Sequence, residues 1–209
     1  MNVLESLHWR YATKRFDPEK IISVDKIAIL KEAFNLTATS YGLQPIKLLL
    51  IKDKSLQEKL VKHTMNQQQV AQASHVLVFC IQTNINEIYV TEYFDRVHTL
   101  RQTPKTILKP YQDFLIKDFS SRTYEDIKDW ATKQAYLAMG NLLTVCALEK
   151  IDTCPMEGFE PEAYNKILHL TESGLEAVLV MPIGYRAADD KFANFKKVRK
   201  TVAESTWEL

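Results

Sequence analysis

The stretch "WATKQAYLAMGNLLTVCAL", residues 130–148, predicts a long helix that is apolar on nearly every face. A helix of this kind is buried all round, either inside a large core or against a second subunit. A chain of 209 residues has only a modest core in which to surround a helix of this length. The stretch therefore favours a helix that contacts a partner subunit, with the other elements of the fold arranged around it.

Three apolar runs of strand length predict the strands of a sheet, and they lie at residues 48–51, 76–81 and 175–185. The middle run is continuously apolar and rich in β-branched residues, which is typical of a strand buried on both faces. Helical spacing predicts helices at residues 23–37, 55–73, 86–102 and 108–150, with interruptions at Pro104, at Pro110 and in the polar stretch 120–126. A polar, basic loop follows at residues 186–206. Strands interleaved with long helices indicate a single mixed α/β or α+β domain over residues 1–209.

The charge balance excludes a generally basic protein, since 27 Lys and Arg residues face 26 Asp and Glu residues for a formal net charge of +1. Such a chain lacks the positive field that non-specific nucleic-acid or anionic-membrane binding requires. No window approaches the roughly 18 apolar residues of a membrane span, and the N-terminus does not resemble a secretory leader. We therefore expect a soluble, cytoplasmic protein with neither a nucleic-acid nor a membrane partner.

Two local clusters of basic residues stand out against this neutral background. They are Arg10, Lys14, Arg15 and Lys20 in "HWRYATKRFDPEK", residues 8–20, and Lys196, Lys197, Arg199 and Lys200 in "FKKVRK", residues 195–200. The five glycines are too far apart to form a phosphate-binding loop, so side chains would have to hold any phosphate. Arginine binds phosphate oxygens in a bidentate manner, and lysine adds a point charge. Spacing alone leaves two interpretations open, a phosphate site and, more often for such clusters, solvated surface charges.

Side-chain catalytic machinery is not evident in the sequence. The five histidines lack the spacing of a metal site, and the adjacent Asp189 and Asp190 resemble solvated loop residues. The three cysteines lack a C-x-x-C spacing, and we expect reduced thiols, with Cys154 buried and inert. We therefore expect no metal, and we assign any catalysis to an organic cofactor.

Six stretches, read together, carry a resemblance to a known family. They are "RYATKRFD" (10–17), "TATSYGLQP" (37–45), "MNQQQVAQASHVLVFC" (65–80), "WATKQAYLAMGNLL" (130–143), "PMEGF" (155–159) and "KKVRK" (196–200). In this order the chain resembles the nitroreductase family of flavoproteins, most of all its oxygen-insensitive NAD(P)H nitroreductase and dihydropteridine reductase branch. The resemblance implies an α+β, three-layer sandwich with a central, mostly antiparallel sheet flanked by helices. It also implies a domain-embracing homodimer with one FMN per subunit at the dimer interface.

The resemblance implies roles for individual residues by their positions in these motifs. Arg10, Lys197 and Arg199 would bind the FMN phosphate, Lys14 would lie near flavin N1 and O2, and Asn66 would hydrogen-bond the pyrimidine side. The backbone of "PMEGF" would approach flavin N5, and Thr39 and Ser40 would come from the other subunit. The implied cofactor-binding set is Arg10, Tyr11, Ala12, Lys14, Thr39, Ser40, Asn66, Pro155, Met156, Glu157, Gly158, Lys197 and Arg199. The implied acceptor pocket comprises Tyr41, His63, Met65, Gln69 and Ile116.

The implied activity is FMN-dependent NAD(P)H oxidoreduction. NADH or NADPH would donate hydride, and nitroaromatic, quinone or similar electron-poor acceptors would receive it in a ping-pong, two-electron cycle. Ala12 stands where many relatives have Ser, and Gln69 where near relatives have Lys, so substrate range does not carry over with the resemblance. The alternatives are a dihydropteridine or flavin reductase on the same fold, or a non-catalytic FMN-binding protein.

Overall fold

The computed structural model describes residues 2–209, which form four strands and nine α-helices. The strands are β1 (Ile46–Ile51), β2 (His75–Gln82), β3 (Asp152–Thr153) and β4 (Leu175–Gly184). The helices are α1 (Val3–Trp9), α2 (Val24–Asn35), α3 (Lys54–Val61), α4 (Gln69–Gln72), α5 (Glu87–Arg101), α6 (Lys105–Ser120), α7 (Tyr124–Leu148), α8 (Pro161–Ile167) and α9 (Val202–Ser205). Within this range no helix has the length and apolar character needed to cross a membrane.

The strands form one antiparallel sheet in the order β1-β2-β4-β3. Successive side chains of β2 point to opposite faces, so Leu77, Phe79 and Ile81 pack with α2 and α7. The even-numbered residues of β2 between 76 and 80 pack on the other face with residues of α3, α4 and α8. This arrangement confirms the predicted α+β fold and its three-layer sandwich.

Helix α7 covers one face of the sheet with a row of buried residues that includes Ala131, Ala135 and Leu142. It begins inside the predicted break, where Thr123 and Asp126 form a capping box. In one chain the helix is not buried all round, since Tyr136 and Leu137 are 45% and 55% exposed. The sequence predicts burial of α7 on every face. In a single chain the sheet covers one face of the helix, and a second face stays uncovered.

Helices α5 and α6 form a separate cluster with the start of α7, in which Phe94, Leu115 and Phe119 are buried. The predicted break at Pro104 is confirmed, because Pro104 is the N-cap of α6. The predicted break at Pro110 is wrong, because this exposed residue lies inside α6. A proline removes one helical hydrogen bond, and burial of the apolar residues that follow outweighs that loss here.

Two other differences from the predicted elements bear on the candidate site. The helix predicted over residues 55–73 is interrupted between α3 and α4, where Met65 and Asn66 adopt left-handed φ angles of 53° and 55°. Strand β3 was not among the predicted strands, because two residues are too few to produce an alternating pattern. The basic segment predicted as a loop contains only short helical turns, including one at Lys191–Asn194.

Gly184, the last residue of β4, lies in a position with no room for a side chain. An added Cβ would lie 3.0 Å from Phe16 Cδ1 and 3.1 Å from the backbone nitrogen of Ser74. Phe16 is buried and the backbone cannot move aside cheaply, so we expect Gly184→Ala to lower the free energy of unfolding by about 1–3 kcal/mol. Urea denaturation followed by circular dichroism measures this loss.

Gly158→Ala is the matched control. Its added Cβ would approach the Met65 Sδ at 2.9 Å, but that side chain is 73% exposed and free to move. We expect a loss below about 0.5 kcal/mol, as is usual at surface positions. Equal losses in the two variants would contradict the packing described for Gly184.

Candidate functional site

Five members of the two basic clusters, which lie at opposite ends of the sequence, line one cleft of about 340 Å³. Arg10 and Lys14 come from the segment after α1, and Lys196, Lys197 and Arg199 come from the C-terminal segment. The N-terminal segment is fixed beside β3, because the Thr13 backbone nitrogen donates to the Thr153 oxygen at 3.0 Å. We name this site the cation cleft; Tyr11 and Ala12 also line it.

Asp190 connects the two walls of the cation cleft. One of its carboxylate oxygens accepts hydrogen bonds from Tyr11 Oη and from the backbone nitrogens of Lys14 and Arg15, at 2.8, 2.9 and 3.1 Å. The other accepts one from the Phe192 nitrogen at 3.1 Å. Burial alone would raise the pKa of Asp190, but these hydrogen bonds outweigh it and hold the pKa below its usual value.

The expectation that Asp189 and Asp190 are both solvated is therefore wrong for one of them. Asp190 is 5% exposed, whereas the Asp189 side chain is 62% exposed and pairs with Arg15 at 2.7 Å. No local pattern distinguishes the two adjacent aspartates, because three of the four hydrogen-bond partners of Asp190 lie 175–179 positions away. Asp190 is the residue of the site that sequence reasoning missed.

Replacing Asp190 with asparagine tests this connection. We expect Asp190→Asn to cost about 2 kcal/mol at pH 7, because an amide cannot accept all the hydrogen bonds that the charged carboxylate accepts. The pKa of Asp190 is depressed in the folded protein. The contribution of its carboxylate to the free energy of unfolding is therefore complete above the unfolded-state pKa of about 4, and it is lost as pH falls through the folded-state pKa. Urea denaturation at pH 7, 5 and 3 gives the free energy of unfolding of both proteins. The difference between variant and wild type should be the same at pH 7 and pH 5. A difference that grew toward pH 3 would contradict the assignment.

The cations of the cleft face one another without a compensating carboxylate. Within residues 2–209, Arg10, Lys197 and Arg199 make no ion pair, and Arg10 Nε is buried without a hydrogen-bond partner. Burial and the charge of Arg199 lower the pKa of Arg10, and burial together with Arg10 and Arg199 lowers the pKa of Lys197. Lys197 Nζ donates to the backbone oxygens of Leu7, at 2.9 Å, and of Arg10. An anion in the cleft would relieve this repulsion.

The remaining members of the N-terminal basic cluster behave differently. Arg15 pairs with Asp189 at 2.7 Å and Lys20 with Asp17 at 2.9 Å, and both basic side chains are about 60% exposed. Ion pairs of this kind contribute little and need no ligand. The surface interpretation therefore holds for Arg15 and Lys20, but not for Arg10.

A second group of candidate residues lies where residues 63–67 pack against residues 157–160. His63 Nδ1 is 2.7 Å from Glu160 Oε2, and the Glu160 backbone nitrogen donates to the His63 oxygen at 2.8 Å. Met65, next to Asn66, lies against Gly158, and Gln67 Nε2 donates to the Gly158 oxygen at 3.4 Å. The left-handed turn thus places Met65 against Gly158 of the "PMEGF" segment and His63 against Glu160, just after it, whereas Asn66 lines a surface depression with residues of α3.

Lys14 lines the cation cleft, and Ala12 and Thr13 just before it pair with Thr153 of β3. The Cys154 thiol is buried, which raises its pKa, and the nearby charge of Lys14 opposes that rise. Cys154 directly precedes Pro155, so the charge of Lys14 acts close to the start of the "PMEGF" segment. All three cysteines are buried and free, and burial raises the pKa of Cys80 and Cys146 to about 12, so none is a reactive thiolate.

An apolar cleft of about 450 Å³ lies between the "PMEGF" segment and the uncovered face of α7. Pro155, Met156 and Glu157 form one wall, and Tyr136 and Gly140 belong to the other. Tyr136 Oη donates to Glu157 Oε1 at 2.6 Å and fixes the segment to the helix. The exposed face of α7 is therefore continuous with the candidate site.

The other predicted residues lie elsewhere in the chain. The Ser40 backbone nitrogen donates to Gln134 Oε1 at 2.9 Å, two residues before Tyr136 on α7. Residues two positions apart on a helix differ by about 200° in direction, so Gln134 and Tyr136 point to nearly opposite sides of α7. Thr39 and Ser40, next to Gln134, therefore lie across α7 from "PMEGF", which contacts Tyr136. Tyr41 contacts Phe119 and Trp130, in the cluster that Ile116 joins. Gln69, at the start of α4, is 9% exposed.

Comparisons with known proteins agree on one family. The model of the nitroreductase family matches residues 7–185. The chain is 32% identical over 203 residues to the putative NAD(P)H nitroreductase YfkO of Bacillus subtilis, with 90% of each protein covered. The putative nitroreductase ydfN of Bacillus subtilis superimposes with a TM-score of 0.87 at 21% identity, covering 99% of this chain and 98% of that chain. A putative nitroreductase from Exiguobacterium sibiricum, solved in complex with FMN, superimposes with a TM-score of 0.83 at 19% identity, covering 100% and 98%.

Proposed function

The chain belongs to the nitroreductase family, and from that membership we propose that it is an FMN-dependent NAD(P)H oxidoreductase acting on nitroaromatic, quinone or similar electron-poor acceptors. The observation that carries the proposal is the cation cleft, in which Arg10, Lys197 and Arg199 face one another without a carboxylate partner in the described part of the chain. An anion close by would stabilise such a cluster, and a phosphate ester is an anion that arginine and lysine bind well.

The residues of the cation cleft fit the phosphate of FMN. The buried Arg10 Nε has no partner among residues 2–209, so it is a free hydrogen-bond donor. Lys197 is held in place by the carbonyl oxygens of Leu7 and Arg10, so its charge is positioned before a ligand arrives. Ala12 offers no hydroxyl, and its contribution is restricted to the backbone.

The residues around "PMEGF" fit a planar, largely apolar ring system. Pro155 and Met156 line the apolar cleft, and Tyr136 holds Glu157 in position. When bound here, FMN would supply two-electron hydride chemistry between a nicotinamide and the acceptor. Lys14, which lines the cation cleft and whose charge reaches Cys154 next to Pro155, would stabilise the negative charge that the ring gains on reduction. We keep Asn66, Gly158 and Tyr11 as proposed cofactor contacts, and His63, Met65, Gln69, Tyr41 and Ile116 as proposed acceptor contacts.

A homodimer would complete this site. The uncovered face of α7 carries exposed Tyr136 and Leu137, and Tyr136 and Gly140 of this helix line the apolar cleft. Two copies that meet on this face would bury it, as the sequence of α7 predicts. In that arrangement Thr39 and Ser40 of one subunit would approach the ring held by the other.

Steady-state kinetics with a panel of acceptors test the proposed activity. NADH and NADPH are each combined with nitroaromatics, quinones, a quinonoid dihydropterin and free FMN. We expect the highest kcat/KM with nitroaromatics or quinones. A clear preference for the dihydropterin or the free flavin would instead establish the reductase alternative, and no turnover with any acceptor would establish a flavin-holding protein.

A further inference from the structure

Arg186, the second residue after β4, is not among the residues that line the cation cleft, and a buried carboxylate fixes its position. Asp152, the first residue of β3, is 4% exposed. One of its oxygens accepts a hydrogen bond from Arg186 Nε and the other accepts one from the Arg186 backbone nitrogen, each at 2.8 Å. The two opposite charges compensate each other, so Arg186 needs no ligand of its own.

The guanidinium of Arg186 also contacts two aromatic rings of the N-terminal segment. Its central carbon lies 4.3 Å from the centroid of the Trp9 ring and 4.6 Å from the centroid of the Tyr11 ring. A cation within about 6 Å of a ring centroid is attracted to the ring, and a planar guanidinium stacks on an aromatic face. Trp9 and Tyr11 both line the cation cleft. The side chain of Arg186 therefore connects the buried Asp152 to the N-terminal wall of the cleft.

Arg10 is the residue between these two aromatic residues in the sequence, and its backbone is extended, with φ −72° and ψ 146°. Its Nε is buried without a hydrogen-bond partner among residues 2–209, so no protein acceptor at this atom fixes the side chain. Tyr11, on one side of it, is held twice, by the contact with Arg186 and by the hydrogen bond from its Oη to Asp190 at 2.8 Å. The place of Arg10 in the cleft thus depends on how firmly its two neighbours are held.

We propose that Arg186 is a positioning residue for the anion of the cation cleft, a role that rests on the proposed function. It holds Trp9 and Tyr11 in place, and so aims the Arg10 guanidinium at the phosphate ester of FMN without touching the ligand itself. Lysine cannot substitute, because an ammonium is a point charge and lacks the plane that stacks on aromatic faces.

Fluorescence titrations of the apoprotein with FMN and with riboflavin test the proposal. The two ligands differ only in the phosphate, so the ratio of their affinities isolates the phosphate contribution. We expect Arg186→Lys to weaken FMN binding about tenfold and to change riboflavin binding less than about twofold. The substitution keeps the positive charge, so the loss does not come from a weaker electrostatic field.

A double-variant comparison shows whether Arg186 acts through Arg10. When Arg10→Ala is already present, Arg186→Lys should change FMN affinity less than about twofold, because the guanidinium that it positions is absent. A general disturbance of the N-terminal segment would weaken FMN binding in both backgrounds.

Trp9→Leu removes one of the two ring contacts and leaves the pair between Arg186 and Asp152 intact. It should also lower the ratio of FMN to riboflavin affinity. This variant tests the same contact without disturbing the buried carboxylate, so the proposal does not depend on the stability of Arg186→Lys.

Arg122→Lys is the matched control. The side chains of both arginines are 23% exposed, and Arg122 likewise pairs with an aspartate, Asp118, at 2.6 Å and lies over an aromatic ring, that of Phe119, at 4.4 Å. None of these three residues lines the cation cleft. The control should therefore keep the wild-type ratio of FMN to riboflavin affinity.

Three results would overturn the proposal: an unchanged ratio in Arg186→Lys and Trp9→Leu, an equal loss of FMN and riboflavin affinity, or an undiminished effect of Arg186→Lys when Arg10 is alanine. In each of these the wild type still binds FMN, so the proposed function would stand. A wild type that binds no FMN would overturn both.

Discussion

The double variant Lys197→Ala/Arg199→Ala will purify largely without FMN, while the wild type will carry about one FMN per chain. Each charge-assisted hydrogen bond to a phosphate is worth about 1.5–3 kcal/mol. Losing two of them should weaken FMN binding by about 3–6 kcal/mol, a factor of roughly 10² to 10⁴. The ratio of absorbance at 450 nm to that at 280 nm gives the flavin content, and fluorescence titration of the apoprotein gives the affinity.

Arg15→Ala/Lys20→Ala is the matched control, because it removes the same charge from the other half of the N-terminal basic cluster. These two side chains are exposed and paired with Asp189 and Asp17, so FMN content should be unchanged. Urea denaturation of both apoproteins separates a binding defect from a folding defect. Full flavin content in Lys197→Ala/Arg199→Ala would show that the phosphate binds elsewhere.

The variant Leu137→Asp will be monomeric under conditions in which the wild type is dimeric. In a symmetric dimer each substitution acts twice, so two buried charges of about 2–4 kcal/mol each should weaken association by about 4–8 kcal/mol. This corresponds to roughly 10³ to 10⁶-fold. Analytical ultracentrifugation at nanomolar to micromolar concentration measures the change. Since Thr39 and Ser40 would come from the partner, the monomer should also bind FMN less tightly.

Leu100→Asp serves as the control, since Leu100 is 76% exposed on α5, a helix that packs with α6 and the start of α7. It should keep both the dimer and the flavin. A wild type that sediments as a monomer with FMN bound would refute the shared site. So would a Leu137→Asp variant that remains dimeric at nanomolar concentration.

The fold was largely predictable, because its main elements have strong local patterns. Residues 76–81 are continuously apolar, and they form the centre of β2. The apolar pattern of residues 130–148 predicts both a helix and a partner subunit. The helix is present, and the exposure of Tyr136 and Leu137 in a single chain leaves a face on which a partner could pack. Elements without a local pattern were missed: β3 is two residues long, and the left-handed turn at Met65 and Asn66 contains no glycine.

The candidate site was less predictable, because long-range contacts assemble it. Spacing alone could not separate Arg10 from Arg15, although one faces other cations and the other pairs with Asp189. The difference arises from Asp190, which joins the two ends of the chain through hydrogen bonds that no sequence window contains. Only the resemblance to nitroreductases paired the two basic clusters, and the geometry of the cation cleft supplies the physical reason for the pairing.

The central claim is that this chain holds a flavin and reduces it with a nicotinamide. Anaerobic titration of the purified protein with NADH and with NADPH, followed by absorbance near 450 nm, tests it most directly. The account predicts a yellow protein that bleaches fully within seconds on addition of one equivalent of at least one nicotinamide, and regains its colour when a nitroaromatic acceptor is added. A colourless protein that binds no FMN, or a yellow one that neither nicotinamide bleaches, would contradict it.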